Sequence, residues 1–83
     1  MNDELELAVN AASGEAERAQ EKYGDFASMH EAYGVLAEEV AELFDAVRMG
    51  QAHPSRSARI EAEAEQVAAV ALRIRAQAHR VTR

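Results

Sequence analysis

The chain has 83 residues, 29% of them charged, and a formal net charge of −6. It contains no cysteine, which excludes disulfides and thiolate metal sites, and its 4 glycines and 1 proline are too few for the many turns of an all-β fold. An acidic chain lacks the basic surface that binds a nucleic acid polymer, and no apolar run reaches the ~18 residues that span a membrane. We therefore expect neither of these partners, and a cytoplasmic location.

Good helix formers dominate the sequence and predict the all-α class. The spacing of apolar residues predicts one domain over 1–83 with helices at about 3–22, 28–49 and 56–80. The second and third helices are long and are joined by a short loop around Pro54. This arrangement predicts an antiparallel helical hairpin.

Local signals support these boundaries. Asn2 suits the N-cap of the first helix, in which Ser13-Gly14 is a weak point; we expect one imperfect helix there. The segment Ser28-Met29-His30-Glu31 matches a capping box at the start of the second helix. Gly50 is expected to follow the end of that helix.

The second and third helices each carry a heptad-like apolar seam, and we expect the two seams to pack on each other. The second helix carries Met29, Tyr33, Leu36, Val40, Leu43 and Val47; the third carries Ile60, Ala64, Val67, Ala71, Ile74, Ala78 and Val81. Apolar residues outside the seams, such as Phe44 and Leu72, exceed what a hairpin and one short helix can cover. We therefore expect a homodimer or homotetramer that forms a helical bundle.

Carboxylates interrupt this apolar pattern. Glu63 lies about 40° from Val67, inside the seam, and Glu39 lies about 60° from Leu36, at its edge. Glu42 is one turn further along. Carboxylates that are buried together lose hydration and repel one another, so something must offset their charge.

Two kinds of partner would offset this charge. A hard divalent cation is one, because oxygen-only ligands at helical spacing suit Mg²⁺ or Mn²⁺ rather than zinc. The other is an ion-pair network with Arg56, Arg59 or Lys22. The pattern by itself leaves both alternatives open.

The segment Glu38-Glu39-Val40-Ala41-Glu42 is an EExxE motif within a helix, and a second acidic helical motif follows about 20 residues later. This arrangement resembles the MazG-like all-α nucleoside triphosphate pyrophosphohydrolases. The segments 22–34 and 63–72 look like the small phage and prophage branch of that superfamily. The resemblance covers about residues 22–76.

The resemblance implies Mg²⁺-dependent hydrolysis of a nucleoside triphosphate, or a related small phosphorylated nucleotide, between the α and β phosphates. It implies metal ligation by Glu39, Glu42 and Glu63, with Gln66 in the position of the family's Asp, and a water oriented by Glu38 or Glu42. Gln66 is a departure from the family pattern, because an amide carries no charge and cannot act as a base. This departure predicts weaker metal binding. A weakened enzyme is therefore an alternative to a fully active one.

Three further residues are candidate substrate contacts. Lys22 is a candidate to contact a phosphate, His30 to contact the ligand and Tyr33 to stack on a base; a structural role is the alternative for Lys22 and is favoured for His30 and Tyr33. The main alternative function is a non-catalytic, phage-type helical protein that binds a host protein or a nucleotide. A purely structural oligomer is a further alternative. Release of pyrophosphate distinguishes the enzyme from both.

Overall fold

The structure is a computed structural model that describes residues 2–82, and the side chains of residues 2–80. It contains three helices, α1 (Asp3–Tyr23), α2 (Met29–Val47) and α3 (Arg56–Thr82). The described residues form no strand, so the predicted all-α class is confirmed. The predicted seam residue Val81 lies outside the described side chains.

The predicted capping signals are present at the starts of α1 and α2. Asn2 Oδ1 accepts a hydrogen bond from Leu5 N at 2.8 Å, and Ser28 Oγ accepts one from Glu31 N at 3.0 Å. Glu31 Oε1 accepts from Ala27 N at 3.2 Å, one residue before the N-cap, so the reciprocal half of the capping box is displaced. The helix α1 continues through Ser13-Gly14 without a break.

The end of α2 differs from the prediction, because the helix stops at Val47 and not near Met49. The last turn tightens, with Met49 N donating to Ala46 O at 3.3 Å. The guanidinium of Arg56 donates to Val47 O at 3.2 Å from Nε and at 2.9 Å from Nη2. A side chain of α3 therefore satisfies the carbonyl that another helical turn would have used.

The helix α3 packs against both other helices, whereas the described backbones of α1 and α2 do not come within 8 Å of each other, Cα to Cα. Phe26, Ala32 and Val70 form the centre of the core, and Val35, Leu36 and Ile74 pack against them. The core thus lies between α2, α3 and the loop that joins α1 to α2. No described helix has both the length and the apolarity to cross a bilayer.

The loop between α1 and α2 is held down by the C-terminal half of α3. Gln77 Nε2 donates to Phe26 O and Gln77 Oε1 accepts from Phe26 N, both at 3.0 Å. The flanking contacts join Arg73 Nη2 to Gly24 O at 3.0 Å and Arg80 Nη2 to Asp25 Oδ1 at 2.7 Å. Gly24 has φ 71°, which a residue with a side chain rarely adopts, so glycine suits this turn.

The predicted packing of the α2 seam against α3 is found only in part: Leu36 and the α3 seam residue Ile74 pack against the core, whereas other seam residues of α2 are exposed. Tyr33 is 70% exposed and Val40 is 47% exposed, whereas Ala32 and Ala46 are fully buried. The inward face of α2 is thus centred on small residues, because alanine lets two helix backbones approach closely. The large side chains of the seam flank this contact on one side.

Candidate metal centre

Glu39 lies in the middle of the inward face of α2. It is seven residues from Ala32 and seven from Ala46, and positions seven apart share a helix face. Glu63 stands in the same relation to Val70, which is 6% exposed. The contact between α2 and α3 therefore carries one carboxylate from each helix.

Three carboxylates meet at this contact. Glu39, Glu42 and Glu63 each offer one oxygen, and these three oxygens lie within 4.8 Å of one another. Glu39 and Glu63 are half-buried, whereas Glu42 is exposed. The cluster therefore has a closed side within the helix contact and an open side at the surface.

One oxygen of each half-buried carboxylate lacks a hydrogen-bond partner. Glu39 Oε2 and Glu63 Oε2 are both inaccessible to solvent and receive no hydrogen bond. A buried acceptor that is left unpaired destabilises a fold by about 1–3 kcal/mol, and by more when it is charged. A cation or a proton in the cluster would remove this cost.

The pKa values of the cluster reflect its crowding. Burial raises the pKa of Glu39 above its ordinary value, and the charges of Glu63 and Glu38 raise it further. A hydrogen bond shared with Glu63 raises the pKa of Glu42, as do the charges of Glu39, Glu63 and Glu38. Without a cation, Glu39 and Glu42 therefore bind protons more readily than ordinary glutamates do.

Among the side chains that the structure describes, the alternative ion-pair network has one weak contact. Arg59 Nε lies 4.0 Å from Glu63 Oε1, at the limit of an ion pair, and half of the Arg59 side chain is exposed. Arg56 is bonded to Val47 O instead. The ammonium of Lys22 lies over the ring of Tyr23, 5.2 Å from its centroid. Most of the charge of the cluster is therefore left without a basic partner.

Gln66 lies beside the cluster and is tied to α1. Hydrogen bonds from Arg18 and, less strongly, from Gln66 lower the pKa of Glu15, although burial acts in the opposite direction. The Arg18 bond joins Nη2 to Glu15 Oε2 at 3.0 Å. The Gln66 side chain offers one carbonyl oxygen, which is a neutral ligand atom, and one amide group, which is a hydrogen-bond donor.

A cavity of about 450 Å³ adjoins the cluster, between the end of α1, α2 and α3. Its walls include Glu39 and Gln66 at the cluster and Phe26 and Arg73 at the loop. Arg73 lies over the Phe26 ring, 4.4 Å from its centroid, and its Nε donates to Gln20 Oε1 at 3.2 Å. Neutral hydrogen-bond acceptors and the Phe26 ring thus hold the Arg73 guanidinium in the wall of the cavity.

The three predicted substrate contacts do not line this cavity. Lys22, His30 and Tyr33 are all exposed, and none of them is in its wall. The sequence analysis identified neither Arg73 nor Gln77 as a site residue. A signal was present, because Arg73, Gln77 and Arg80 recur at steps of four and three and so share one face of α3.

Comparisons of the chain with protein families, with curated proteins and with solved structures found no match. The geometry of the described residues therefore carries the functional argument. The cluster offers only oxygen ligand atoms. A cation would supply the positive charge that balances its unpaired buried oxygens. These residues fit Mg²⁺ or Mn²⁺ in ligand chemistry and in charge.

Proposed function

We propose that this protein is a Mg²⁺-dependent nucleoside triphosphate pyrophosphohydrolase of the MazG-like type, or a weakened relative of one. The observation that carries the proposal is the convergence of Glu39, Glu42 and Glu63, with two buried carboxylate oxygens left unpaired. These are the three glutamates that the resemblance to the superfamily assigns as ligands. The resemblance and the geometry of the cluster are independent arguments for one site.

Glu39 and Glu63 would hold Mg²⁺ or Mn²⁺ from the closed side of the cluster, and Glu42 from the open side. When bound, the cation supplies positive charge to phosphate oxygens and polarises the phosphorus–oxygen bonds. Gln66 would contribute its carbonyl oxygen as a neutral fourth ligand. The loss of one charge relative to the family pattern is the reason for including a weakened enzyme in the proposal.

The exposed carboxylates would position the attacking water. Glu42 lies on the open side of the cluster, so its carboxylate would face both the cation and solvent water. Glu38 is exposed and lies one helical turn before Glu42. Its charge is close enough to raise the pKa of Glu42. Either carboxylate would accept a hydrogen bond from water and align it with the α-phosphorus.

The cavity beside the cluster would hold the nucleoside part of the ligand. Its volume of about 450 Å³ lies in the usual range for small-molecule sites. Val35, Ala69 and Val70 provide apolar walls, and Arg73 provides hydrogen-bond donors. Because the cavity reaches Glu39, a base held there would leave its phosphates beside the cluster.

The proposal includes an antiparallel arrangement of α2 and α3, a cytoplasmic location and a homo-oligomeric state. The end of α2 meets the start of α3 through Val47 and Arg56, and the residues before α2 meet the end of α3 through Phe26 and Gln77. Contacts at both ends in this order support opposite helix directions.

The direct test is incubation with a panel of nucleoside triphosphates and Mg²⁺ or Mn²⁺, with pyrophosphate as the measured product. We expect release of pyrophosphate and the monophosphate, and loss of that release in Glu63→Gln. Glu61→Gln is the matched control, because Glu61 lies on the same helix but is exposed and outside the cluster. Equal loss in both variants would contradict a role for the cluster.

Two other outcomes decide the alternatives. Cation-dependent stabilisation and nucleotide binding without turnover would favour the non-catalytic binding protein, with Gln66 as the physical reason. The absence of both turnover and any specific response to divalent cations would exclude the metal site and the enzyme together.

A further inference from the structure

Among the described side chains, Arg59 is the one basic residue in contact with the carboxylate cluster. Its Nε lies 4.0 Å from Glu63 Oε1, and half of the side chain is exposed. This distance is too long for a hydrogen bond, whereas the guanidinium of Arg56 is hydrogen-bonded to Val47 O. The guanidinium of Arg59 therefore keeps its N–H donors available for a ligand.

Arg59 and the cavity lie on opposite sides of Glu63 along the axis of α3. All the residues of α3 that line the cavity follow Glu63 in the chain: Gln66, Ala69, Val70 and Arg73. Arg59 precedes Glu63 by one turn, about 6 Å along the axis and about 40° round it, so the two side chains share a helix face. The cluster thus stands between the cavity proposed for the nucleoside and an available guanidinium.

The helix α2 shows the same order. The residues of α2 that line the cavity end at the cluster, and they are Glu31, Val35 and Glu39. Glu42 is one turn further along α2, away from the cavity, and Val47 at the end of the helix is bonded to Arg56. Because Arg56 lies one turn before Arg59, this end of the helix contact is also the end that carries Arg59. The cavity, the cluster and Arg59 therefore follow one another along the contact between α2 and α3.

The charge of the site favours a further positive group beside the phosphates. Glu39, Glu42 and Glu63 carry three negative charges when ionised, and one bound divalent cation would balance two of them. A triphosphate adds more negative charge, which these carboxylates would repel. A guanidinium suits this position because it stays protonated and its planar fork donates two parallel hydrogen bonds to phosphate oxygens. The contact between Arg59 and Glu63 is too long and too exposed to prevent this.

Resting on the proposed pyrophosphohydrolase function, we infer that Arg59 binds the β and γ phosphates of the nucleotide and stabilises pyrophosphate as it leaves. The nucleotide then lies with its base towards Arg73 and its terminal phosphates towards Arg59.

The role of Arg59 follows from where charge develops in the reaction. Attack by water forms a bond between its oxygen and the α-phosphorus, and the bond from that phosphorus to the oxygen that bridges the α and β phosphates breaks. The bridging oxygen leaves with the electron pair on pyrophosphate, and a proton of the water passes to Glu42 or Glu38. Arg59 donates hydrogen bonds to the phosphate oxygens that gain this charge.

The test is calorimetric titration of the full chain with inorganic pyrophosphate in excess Mg²⁺. Arg59→Ala should weaken pyrophosphate binding at least ~10-fold. Arg59→Lys should weaken it less, because lysine keeps the charge but lacks the planar fork. A nucleoside monophosphate lacks the leaving phosphates and should bind both variants as it binds the wild type. Arg75→Ala is the matched control, because Arg75 is an exposed arginine of α3 more than three turns from Glu63, and it should bind pyrophosphate normally.

Pyrophosphate binding and hydrolysis are separate measurements, so the two proposals fail in different ways. Unchanged pyrophosphate affinity in Arg59→Ala, together with turnover by the wild type, would overturn the role of Arg59 and leave the proposed function standing. No turnover by the wild type, together with pyrophosphate binding that depends on Arg59, would overturn the proposed function and support Arg59 as a phosphate-binding residue. Equal weakening by Arg75→Ala, or no pyrophosphate binding by the wild type, would also overturn the inference.

Discussion

Glu39 on α2 and Glu63 on α3 face each other across the helix contact, and each has one buried carboxylate oxygen without a hydrogen-bond partner. Both positions would hold apolar residues in a plain helical hairpin. The repulsion between the two carboxylates lowers the stability of the metal-free protein, and the same two groups would contribute to cation binding.

Glu63→Gln separates a metal ligand from an ion-pair partner. It keeps the side-chain volume and removes one charge, so the metal-free protein should melt at the same or a higher temperature. The stabilisation by divalent cations should disappear. Loss of about 1–3 kcal/mol of stability in the metal-free protein would instead mean that Arg59 had lost a needed partner. Thermal melts of this variant, Glu61→Gln and the wild type decide between these results.

Divalent cations should raise the melting temperature of the wild type. A ligand that binds only the folded state stabilises it by about 2.7 kcal/mol at a hundredfold excess over its dissociation constant. For a domain of this size, that free energy corresponds to roughly 10–20 °C. Na⁺ at matched ionic strength should not produce this shift. Equal shifts from Na⁺ and Mg²⁺ would indicate charge screening rather than a site.

The metal-free protein should become less stable as the pH rises from the ordinary glutamate pKa of 4.5 towards neutrality. Glu39 and Glu42 have raised pKa values in the folded state, so the folded protein binds more protons than the unfolded chain in this window. Saturating Mg²⁺ should flatten or reverse this dependence. Melting curves across the window, with and without Mg²⁺, measure the effect.

Below this window, other groups act in the opposite direction. The pKa of Glu15 is lowered by Arg18, and the pKa of Asp25 is lowered by Arg80. The stability that these pairs contribute is lost as the pH falls through their folded pKa values. A decline in stability in strong acid is therefore expected and does not contradict the trend at higher pH. A metal-free stability that rises between pH 4.5 and neutrality would contradict it.

Gln77→Ala should loosen the loop between α1 and α2. The substitution leaves the N–H and the carbonyl oxygen of Phe26 without their Gln77 partners, which should cost about 1–3 kcal/mol. Because Phe26 also lines the cavity, we expect weaker nucleotide binding and an unchanged affinity for Mg²⁺ alone. Gln51→Ala, in an exposed loop, is the control for loss of a glutamine. Calorimetric titrations with Mg²⁺ and with nucleotide measure the two affinities separately.

Gln66→Asp tests the departure from the family pattern. The substitution adds a fourth carboxylate beside the cluster, because Gln66 shares cavity walls with Glu39 and with Glu63. The metal-free protein should become less stable, whereas Mg²⁺ should bind more tightly and hydrolysis should be faster. Reduced stability at every Mg²⁺ concentration, without a gain in affinity, would count against the metal site.

Local sequence determined the helices and their starts. The ends of α1 and α3 lie within two residues of the predicted positions, and the side chains of Asn2 and Ser28 cap the helices as expected. Helical periodicity also identified Glu63 and Glu39 as carboxylates near the helix contact. These features depend on residues within one or two turns of each other, so a linear pattern is enough to predict them.

Only the tertiary structure decided which face of α2 turns inward. The helix has a face of small residues, centred on Ala32 and Ala46, and a face of large ones that includes Tyr33 and Val40. Periodicity detects both faces but does not choose between them. The choice depends on how closely the backbone of α3 approaches and on Phe26, which fills the core from the loop. The Gln77 contacts with that loop span 51 residues, and such long-range contacts arise only when the helices assemble.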